Sequence, residues 1–199
     1  GQRIHDIPPQ RVRALATNTV RALARPQAFL VPAETALGHA IEVVSGREEA
    51  RLVYLGVAHA QPPRPGQRRL VMDVGGGSTE CIIGSGFDPI ERESLQVGCV
   101  ASTLRFFGDG KLSRKRWKEA LVEVGAEFQQ FAGTYRNLGW DEALGSSGTI
   151  KQVGEICEAM KLTKGSITAE AIRAAVYAVA AASPATTVHR RPAAAQMPA

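Results

Sequence analysis

One short stretch, from Leu70 to Gly84, constrains the fold of this chain more than any other. Apolar residues flank three consecutive glycines there, a pattern that predicts a β-hairpin. Glycines allow positive φ angles and the close approach of a ligand, and successive amides in such a turn can bind an anion. With Gly76 and Gly77 at the centre, Asp73 lies opposite Glu80, where like charges destabilise each other unless a cation bridges them. We therefore predict a site for Mg²⁺ and phosphate, because Mg²⁺ usually takes one or two carboxylates together with phosphate oxygens.

The amino-acid composition limits the classes of protein to which this chain can belong. Of 199 residues, 44% are hydrophobic and 22% are charged, as in a globular protein of one large or two small domains. No apolar run approaches the ~20 residues that span a bilayer, so we expect no transmembrane segment. The net charge of +5 suits a polyanionic ligand, but aromatic residues are too sparse for a platform that stacks nucleic-acid bases. Three cysteines without a CxxC spacing indicate a reduced, cytoplasmic protein.

Strands and helices are expected along the rest of the chain, with a meander of three strands after residue 66. The predicted strands are 12–17, 41–44, the two hairpin arms, 90–97 and 142–144, and the predicted helices are 20–23, 47–59, 98–107, 113–138, 150–160 and 168–182. Pro26 and Pro32 are expected to interrupt the first helical region. The apolar stripe from Trp117 to Tyr135 is expected to pack in the core. The proline-rich break 61–66 predicts domains at 1–66 and 67–182, followed by a disordered tail at 183–199.

Polar residues at strand–helix junctions are the other candidates for a site. Arg21 lies in the first turn of a helix, where it is either a surface residue or a phosphate ligand. Glu48 and Glu49 open a later helix, either as partners of the helix dipole or with one acting as a catalytic base. The Gly/Ser turn 145–149 offers free amides to an anion, or serves only as a tight turn. Cys99, between a strand pattern and a helix pattern, is a candidate for a site-lining residue.

Common nucleotide-binding and metal-binding patterns are absent. Neither GxxxxGK[ST] nor GxGxxG occurs, and the four histidines have no metal-ligand spacing. The remaining parts are two glycine turns, one carboxylate pair and two glutamates at a helix start. Such parts suit phosphoryl transfer to water, in which metal and amides neutralise phosphate charge and a carboxylate activates the nucleophile.

Five motifs, at residues 16–21, 45–51, 73–80, 98–100 and 145–151, give the chain a family resemblance. In this order and spacing they resemble the exopolyphosphatase / guanosine pentaphosphate phosphohydrolase family, over residues 11 to 182. The resemblance implies an α/β, actin-like (ribonuclease H-like) fold with a partial first lobe and most of the second. It also implies inorganic polyphosphate or guanosine pentaphosphate as substrate, a connection with the stringent response, and a homodimer as one expected assembly.

The same resemblance implies roles for individual residues. Glu49 matches the glutamate that activates water, and Asp73 and Glu80 match the acids that bind Mg²⁺. The residues that match phosphate-binding positions or line the cleft are Arg21, Gly75, Gly76, Gly77, Ser78, Cys99, Gly145, Ser146, Ser147, Gly148 and Thr149.

The chain also departs from the family pattern. An Asp-x-Gly-Ser-Asn phosphate motif that opens the first lobe is missing, and the second lobe is expected to continue past residue 182. We therefore expect a fragment that is weakly active or inactive alone. Two alternatives to a hydrolase stay open, a non-catalytic module that binds polyphosphate or an alarmone nucleotide and a kinase of the same superfamily.

Overall fold

The computed structural model describes residue 4 and residues 6–181 of the chain. The strands are β1 (Ala14–Ala16), β2 (Ile41–Val43), β3 (Arg68–Val74), β4 (Thr79–Ser85), β5 (Asp88–Leu95) and β6 (Glu142–Ser146). The helices are α1 (Asn18–Arg21), α2 (Pro26–Leu37), α3 (Gly46–Ala60), α4 (Cys99–Phe107), α5 (Arg114–Leu138), α6 (Ser147–Ala159) and α7 (Ala169–Ala181), with a 3₁₀ turn at Pro9–Arg11. None of the described helices is long and apolar enough to cross a membrane.

A four-stranded sheet in the order β5-β4-β3-β6 forms the centre of the structure. β3, β4 and β5 are antiparallel neighbours, which confirms the predicted hairpin and meander. β6 returns by way of α4 and α5 and pairs parallel with β3. The buried guanidinium of Arg69 on β3 forms an ion pair with Glu142 on β6, with Nε 2.8 Å from Oε2. Because β3 and β6 are parallel neighbours, their carboxyl ends lie side by side, with Asp73 paired with Ser146.

Both faces of this sheet are covered, so its central strands are apolar on both sides. On one face, Val71 and Ile82 pack against α3, whose Tyr54 is fully buried. On the other face, Leu70 and Ile83 form a cluster with residues of α5. The alternation along β3 and β4 thus places successive residues in two separate cores, as the period of a strand requires.

The predicted core stripe of α5 is correct only for its second half. Phe128, Phe131 and Tyr135 pack on the sheet, and the Tyr135 hydroxyl donates to the carbonyl of Cys81 at 2.7 Å. Trp117 and Leu121 remain 39% and 58% exposed. The helix is longer than the sheet it covers, so its first turns extend beyond the strands.

The region before residue 46 contains a two-stranded parallel sheet, β1 with β2, and a small core of Ala16, Val20 and Leu30. The predicted interruption by prolines is confirmed at Pro26, since α1 ends at Arg21 and α2 begins at Pro26, and it is wrong at Pro32. Pro26 occupies the first helical position, where its missing N–H costs nothing. Pro32 lies inside the helix and removes one backbone hydrogen bond there.

α3 connects the two parts of the chain. It follows β2 directly and packs over β4 and β5, so the described residues on both sides of the break 61–66 share one packed unit. The division into domains near residue 66 stays a prediction. The predicted tail 183–199 lies outside the described residues.

Candidate active site

The glycine hairpin turn is held from one side by the start of α4. The Cys99 amide donates to the carbonyl of Gly75, and the Val100 and Ala101 amides donate to the carbonyl of Gly76, each at 2.9 Å. These bonds engage the loop carbonyls, whose partial negative charges would otherwise oppose an anion. The first amides of α4 are thereby used to position the loop.

The reason for three glycines differs from the expected one. Among the described residues, positive φ angles occur at other glycines, and none of Gly75, Gly76 and Gly77 has one. What Gly77 lacks is room for a side chain. A Cβ on Gly77 would lie 2.2 Å from Asn18 Nδ2, which no real contact allows. Gly77 therefore permits close packing rather than an unusual backbone conformation, whereas a Cβ on Gly76 would make only an ordinary contact with Val100 at 3.5 Å.

A cavity of about 230 Å³ opens beside this turn, and we call it the hairpin cavity. Three acidic side chains, the hairpin turn and a short polar segment after β1 surround it. The lining residues are Thr17, Asn18, Thr19, Glu49, Val53, Asp73, Gly75, Gly76, Gly77, Ser78 and Glu80. The fold thus brings together seven of the residues proposed from sequence, namely Glu49, Asp73, Gly75, Gly76, Gly77, Ser78 and Glu80.

Asp73 and Glu80 face each other across the hairpin, in the register predicted from the turn. Glu80 is only 2% exposed, and the Ser94 hydroxyl donates to its Oε1 at 2.8 Å. Burial raises the pKa of the Glu80 carboxyl, and the charges of Glu49 and Asp73 raise it further. Hydrogen bonds from the Ser94 and Ser78 side chains act in the opposite direction. The cavity therefore brings three carboxyl groups close together.

This raised pKa predicts a pH-dependent cost to stability. Glu80 holds its proton more tightly in the folded state, so the charged form destabilises the protein once the pH rises above the unfolded glutamate pKa of about 4.3. In metal-free buffer we expect Glu80→Gln to raise Tm at about pH 7 and to have no effect below about pH 4. Thermal unfolding followed by circular dichroism measures both values. A Tm difference that does not change with pH, or one equalled by Glu119→Gln on the exposed face of α5, would contradict this expectation.

The structure distinguishes between the two glutamates at the start of α3. Ser45 caps the helix by accepting from the Glu48 amide at 3.2 Å. The Glu48 carboxylate turns outward to a bidentate pair with Arg51, at 2.7 and 2.8 Å, and this hydrogen bonding lowers its pKa. Glu49 instead lines the hairpin cavity. Adjacent residues on a helix point about 100° apart, which explains the different surroundings.

Arg21 lies next to Glu49 rather than among the cavity-lining residues. Its Nη1 donates to the carbonyl of Val44 at 2.7 Å and lies 2.9 Å from Glu49 Oε2. The geometry of the second contact makes it an ion pair without hydrogen-bond alignment, so Glu49 Oε2 is buried without a hydrogen-bond donor in the described part of the chain. Both side chains are about four-fifths shielded, at 20% and 17% exposure.

The second Gly/Ser turn borders the hairpin without lining the cavity. Ser146 pairs with Asp73 in the parallel register of β6 and β3. The Ser147 hydroxyl donates to the carbonyl of Val74 at 2.8 Å, and the Thr149 hydroxyl lies 3.4 Å from the Cys99 sulfur. In this turn the positive φ of 75° falls on Ser147 rather than on a glycine. The turn and the exposed thiol of Cys99 thus flank the hairpin on the side of α4 and α6.

Sequence reasoning missed four residues of this region. Thr17, Asn18 and Thr19 line the cavity but were not among the predicted site residues. Their position immediately after β1 was the available signal, because ligands of α/β proteins collect at the carboxyl ends of strands. Ser94, which bonds Glu80, had no signal in the sequence.

The donor set around the cavity can be compared with the requirements of Mg²⁺. Within the described residues, no group of three or more His, Cys, Asp or Glu side chains is arranged to hold a metal ion. Asp73 and Glu80 alone supply two hard carboxylate ligands. Mg²⁺ commonly binds one or two carboxylates and completes its shell with phosphate oxygens and water. The residues therefore fit Mg²⁺ bound together with a phosphate, and not a cage made only of protein.

The fold and the cavity define an α/β protein with a glycine hairpin turn beside three clustered carboxylates. The model of the Ppx/GppA phosphatase family matches residues 1–188, so this chain belongs to that family. The chain is similar to a Haemophilus influenzae protein named "Putative exopolyphosphatase", with 38% identity over 88% of this chain and 54% of the relative. It is also similar to the guanosine-5'-triphosphate,3'-diphosphate pyrophosphatase of Vibrio vulnificus, with 41% identity over 78% of this chain and 31% of the relative.

Solved structures agree with this assignment. The Aquifex aeolicus PPX-GPPA enzyme matches with a TM-score of 0.63 and 28% identity, over 79% of this chain and 50% of that one. An exopolyphosphatase from Cytophaga hutchinsonii matches with a TM-score of 0.58 and 28% identity, over 80% and 50%. These similarities confirm the predicted fold class. The chain spans between 31% and 54% of the length of these relatives.

Proposed function

We propose that this chain carries the catalytic centre of a phosphohydrolase that cleaves terminal phosphoanhydride bonds of inorganic polyphosphate or guanosine pentaphosphate. One observation carries the proposal. Glu49 of α3, Asp73, Glu80 and the glycine turn line a single cavity. The names of the relatives, an exopolyphosphatase and a guanosine pentaphosphate pyrophosphatase, support the same reaction type.

The roles of the residues follow from their chemistry. The amides of Gly76, Gly77 and Ser78 are donors for the oxygens of the terminal phosphate, whereas the Gly75 amide donates to the Ser78 carbonyl and the Ser78 hydroxyl to Glu80. Glu49 accepts a proton from water as the water oxygen attacks the terminal phosphorus. The bridging P–O bond breaks, and its electron pair remains on the oxygen of the shortened chain. Asp73 and Glu80 would hold Mg²⁺, which when bound supplies positive charge to the phosphates.

Charge balance in the cavity is the physical argument for a cation. Glu49, Asp73 and Glu80 are three acidic groups, whereas the one cation paired with them by a described contact is Arg21. A polyphosphate anion entering such a site meets net repulsion at short range. A divalent cation would reverse the sign of the interaction. We therefore expect both substrate binding and hydrolysis to require Mg²⁺.

The experiment measures binding and turnover separately on the purified 199-residue chain. Orthophosphate release from long-chain polyphosphate and from guanosine pentaphosphate is followed with Mg²⁺ and with EDTA, and calorimetry measures binding under the same conditions. Weak release that EDTA abolishes is the expected result, in keeping with the weak activity expected from the sequence. Mg²⁺-dependent binding without release would favour the non-catalytic module, and ATP consumption that requires an acceptor would favour the kinase. The proposal would be contradicted if the chain showed no binding of polyphosphate or guanosine pentaphosphate and no release of orthophosphate.

A further inference from the structure

Three buried polar atoms beside the hairpin cavity have no hydrogen-bond partner in the described residues. They are Asn18 Oδ1, Arg21 Nη2 and Glu49 Oε2, and the fourth such side-chain atom, Arg92 Nε, belongs to β5. Buried polar groups are almost always paired, because an unpaired one loses its bonds to water. A cluster of buried atoms without hydrogen bonds, even though Arg21 and Glu49 form an ion pair, therefore marks a position where a small polar ligand is expected.

The Asn18 side chain lies against the glycine turn. Its Nδ2 occupies the space that a side chain at position 77 would take, since an ideal Cβ there would be 2.2 Å away. The amino end of the carboxamide thus lies against the backbone of the turn. The oxygen end remains buried and unpaired, in a side chain that lines the same cavity as Glu49.

The chemistry of these two oxygens selects their ligand. A carboxylate oxygen and a carboxamide oxygen both accept hydrogen bonds and do not donate them. Ionised phosphate oxygens are acceptors too, so a phosphate cannot satisfy either atom. A water molecule has two O–H donors and can satisfy both, while its lone pairs stay free.

We propose that Asn18 and Glu49 together bind the water molecule that attacks the terminal phosphorus, which makes Asn18 a catalytic residue. The inference rests on the proposed hydrolytic function. One proton of the water points to Glu49 Oε2 and passes to it as the O–P bond forms. The other proton is held by Asn18 Oδ1 and stays on the oxygen, which becomes a hydroxyl of the released phosphate. The bridging bond breaks with its electron pair left on the remaining polyphosphate.

A crystal structure of the chain at a resolution that shows ordered water tests the geometry directly, whether or not the chain is active. We expect one water within about 2.5–3.2 Å of both Asn18 Oδ1 and Glu49 Oε2. A direct hydrogen bond from a reversed Asn18 amide to Glu49 would overturn the inference. So would a Mg²⁺ ion between the two oxygens, because the atoms would then be metal ligands.

Kinetics test the role. Asn18→Leu keeps a similar volume and removes the acceptor, so we expect kcat to fall about 10–100-fold, since a misplaced reactant costs up to about 10²-fold. The calorimetric Kd for polyphosphate and the Tm of Asn18→Leu should stay unchanged. The control is Gln27→Ala on the exposed surface of α2, which should change neither value. A raised Kd with unchanged kcat would show that Asn18 only supports the turn. If the water is found in the crystal but the unmodified chain hydrolyses neither substrate, the proposed function is refuted, while the binding of a water by Asn18 and Glu49 is confirmed.

Discussion

Glu49→Gln is expected to lower orthophosphate release from polyphosphate by about 10²–10⁴-fold, the contribution typical of a general base. The glutamine keeps the size of the side chain and its contact with Arg21, but it cannot accept the proton of the attacking water. Because phosphate binding relies on the turn and on the cation, the Kd for polyphosphate should change little. Steady-state release of orthophosphate and calorimetric binding under identical Mg²⁺ concentrations measure the two effects.

The neighbouring glutamate provides the matched control. Glu48→Gln makes the same chemical change one residue earlier on α3, where the carboxylate pairs with Arg51 on the outer side of the helix. We expect activity within about twofold of the unmodified chain, because surface ion pairs contribute little. Equal losses in both variants, or no loss in Glu49→Gln, would show that the glutamate in the cavity does not act as the base.

Gly98→Ala is expected to damage both stability and activity. A Cβ on Gly98 would lie 2.5 Å from the Gly76 carbonyl and from the Gly77 nitrogen, which are backbone atoms and cannot rotate away. Either α4 or the hairpin turn must move. Overpacking of this kind costs about 1–3 kcal/mol, and displacement of the turn by about 1 Å can cost about 10²-fold in rate. Chemical denaturation and orthophosphate release measure the two losses.

Gly125→Ala separates this steric effect from the general effect of adding a methyl group. Gly125 lies in α5, and a Cβ there would meet no atom within 4 Å. Because glycine weakens a helix interior, this variant should be more stable by about 0.5–1 kcal/mol and equally active. If Gly98→Ala retains the stability and the rate of the unmodified chain, α4 does not hold the turn in the way the hydrogen bonds indicate.

Local sequence patterns predicted the sheet that follows residue 66 well. The hairpin, its register and the meander follow from residues that are close in sequence, since a short turn determines which residues face each other. The prediction failed where packing outweighed propensity. α2 continues through Pro32, with Leu30 packed against Ala16 of β1 and Val20, and the first turns of α5 stay exposed because the sheet ends beneath them.

The sequence by itself determined the hairpin of residues 70–84 and the opposition of Asp73 to Glu80 within it. The motifs also indicated the family. Only the tertiary structure decided which of Glu48 and Glu49 faces the cavity, that Asn18 reaches the glycine turn, and that Ser94 bonds Glu80. These contacts join elements that are distant in the chain. They depend on how α1, α3 and β5 lie against the hairpin, which no local pattern of residues specifies.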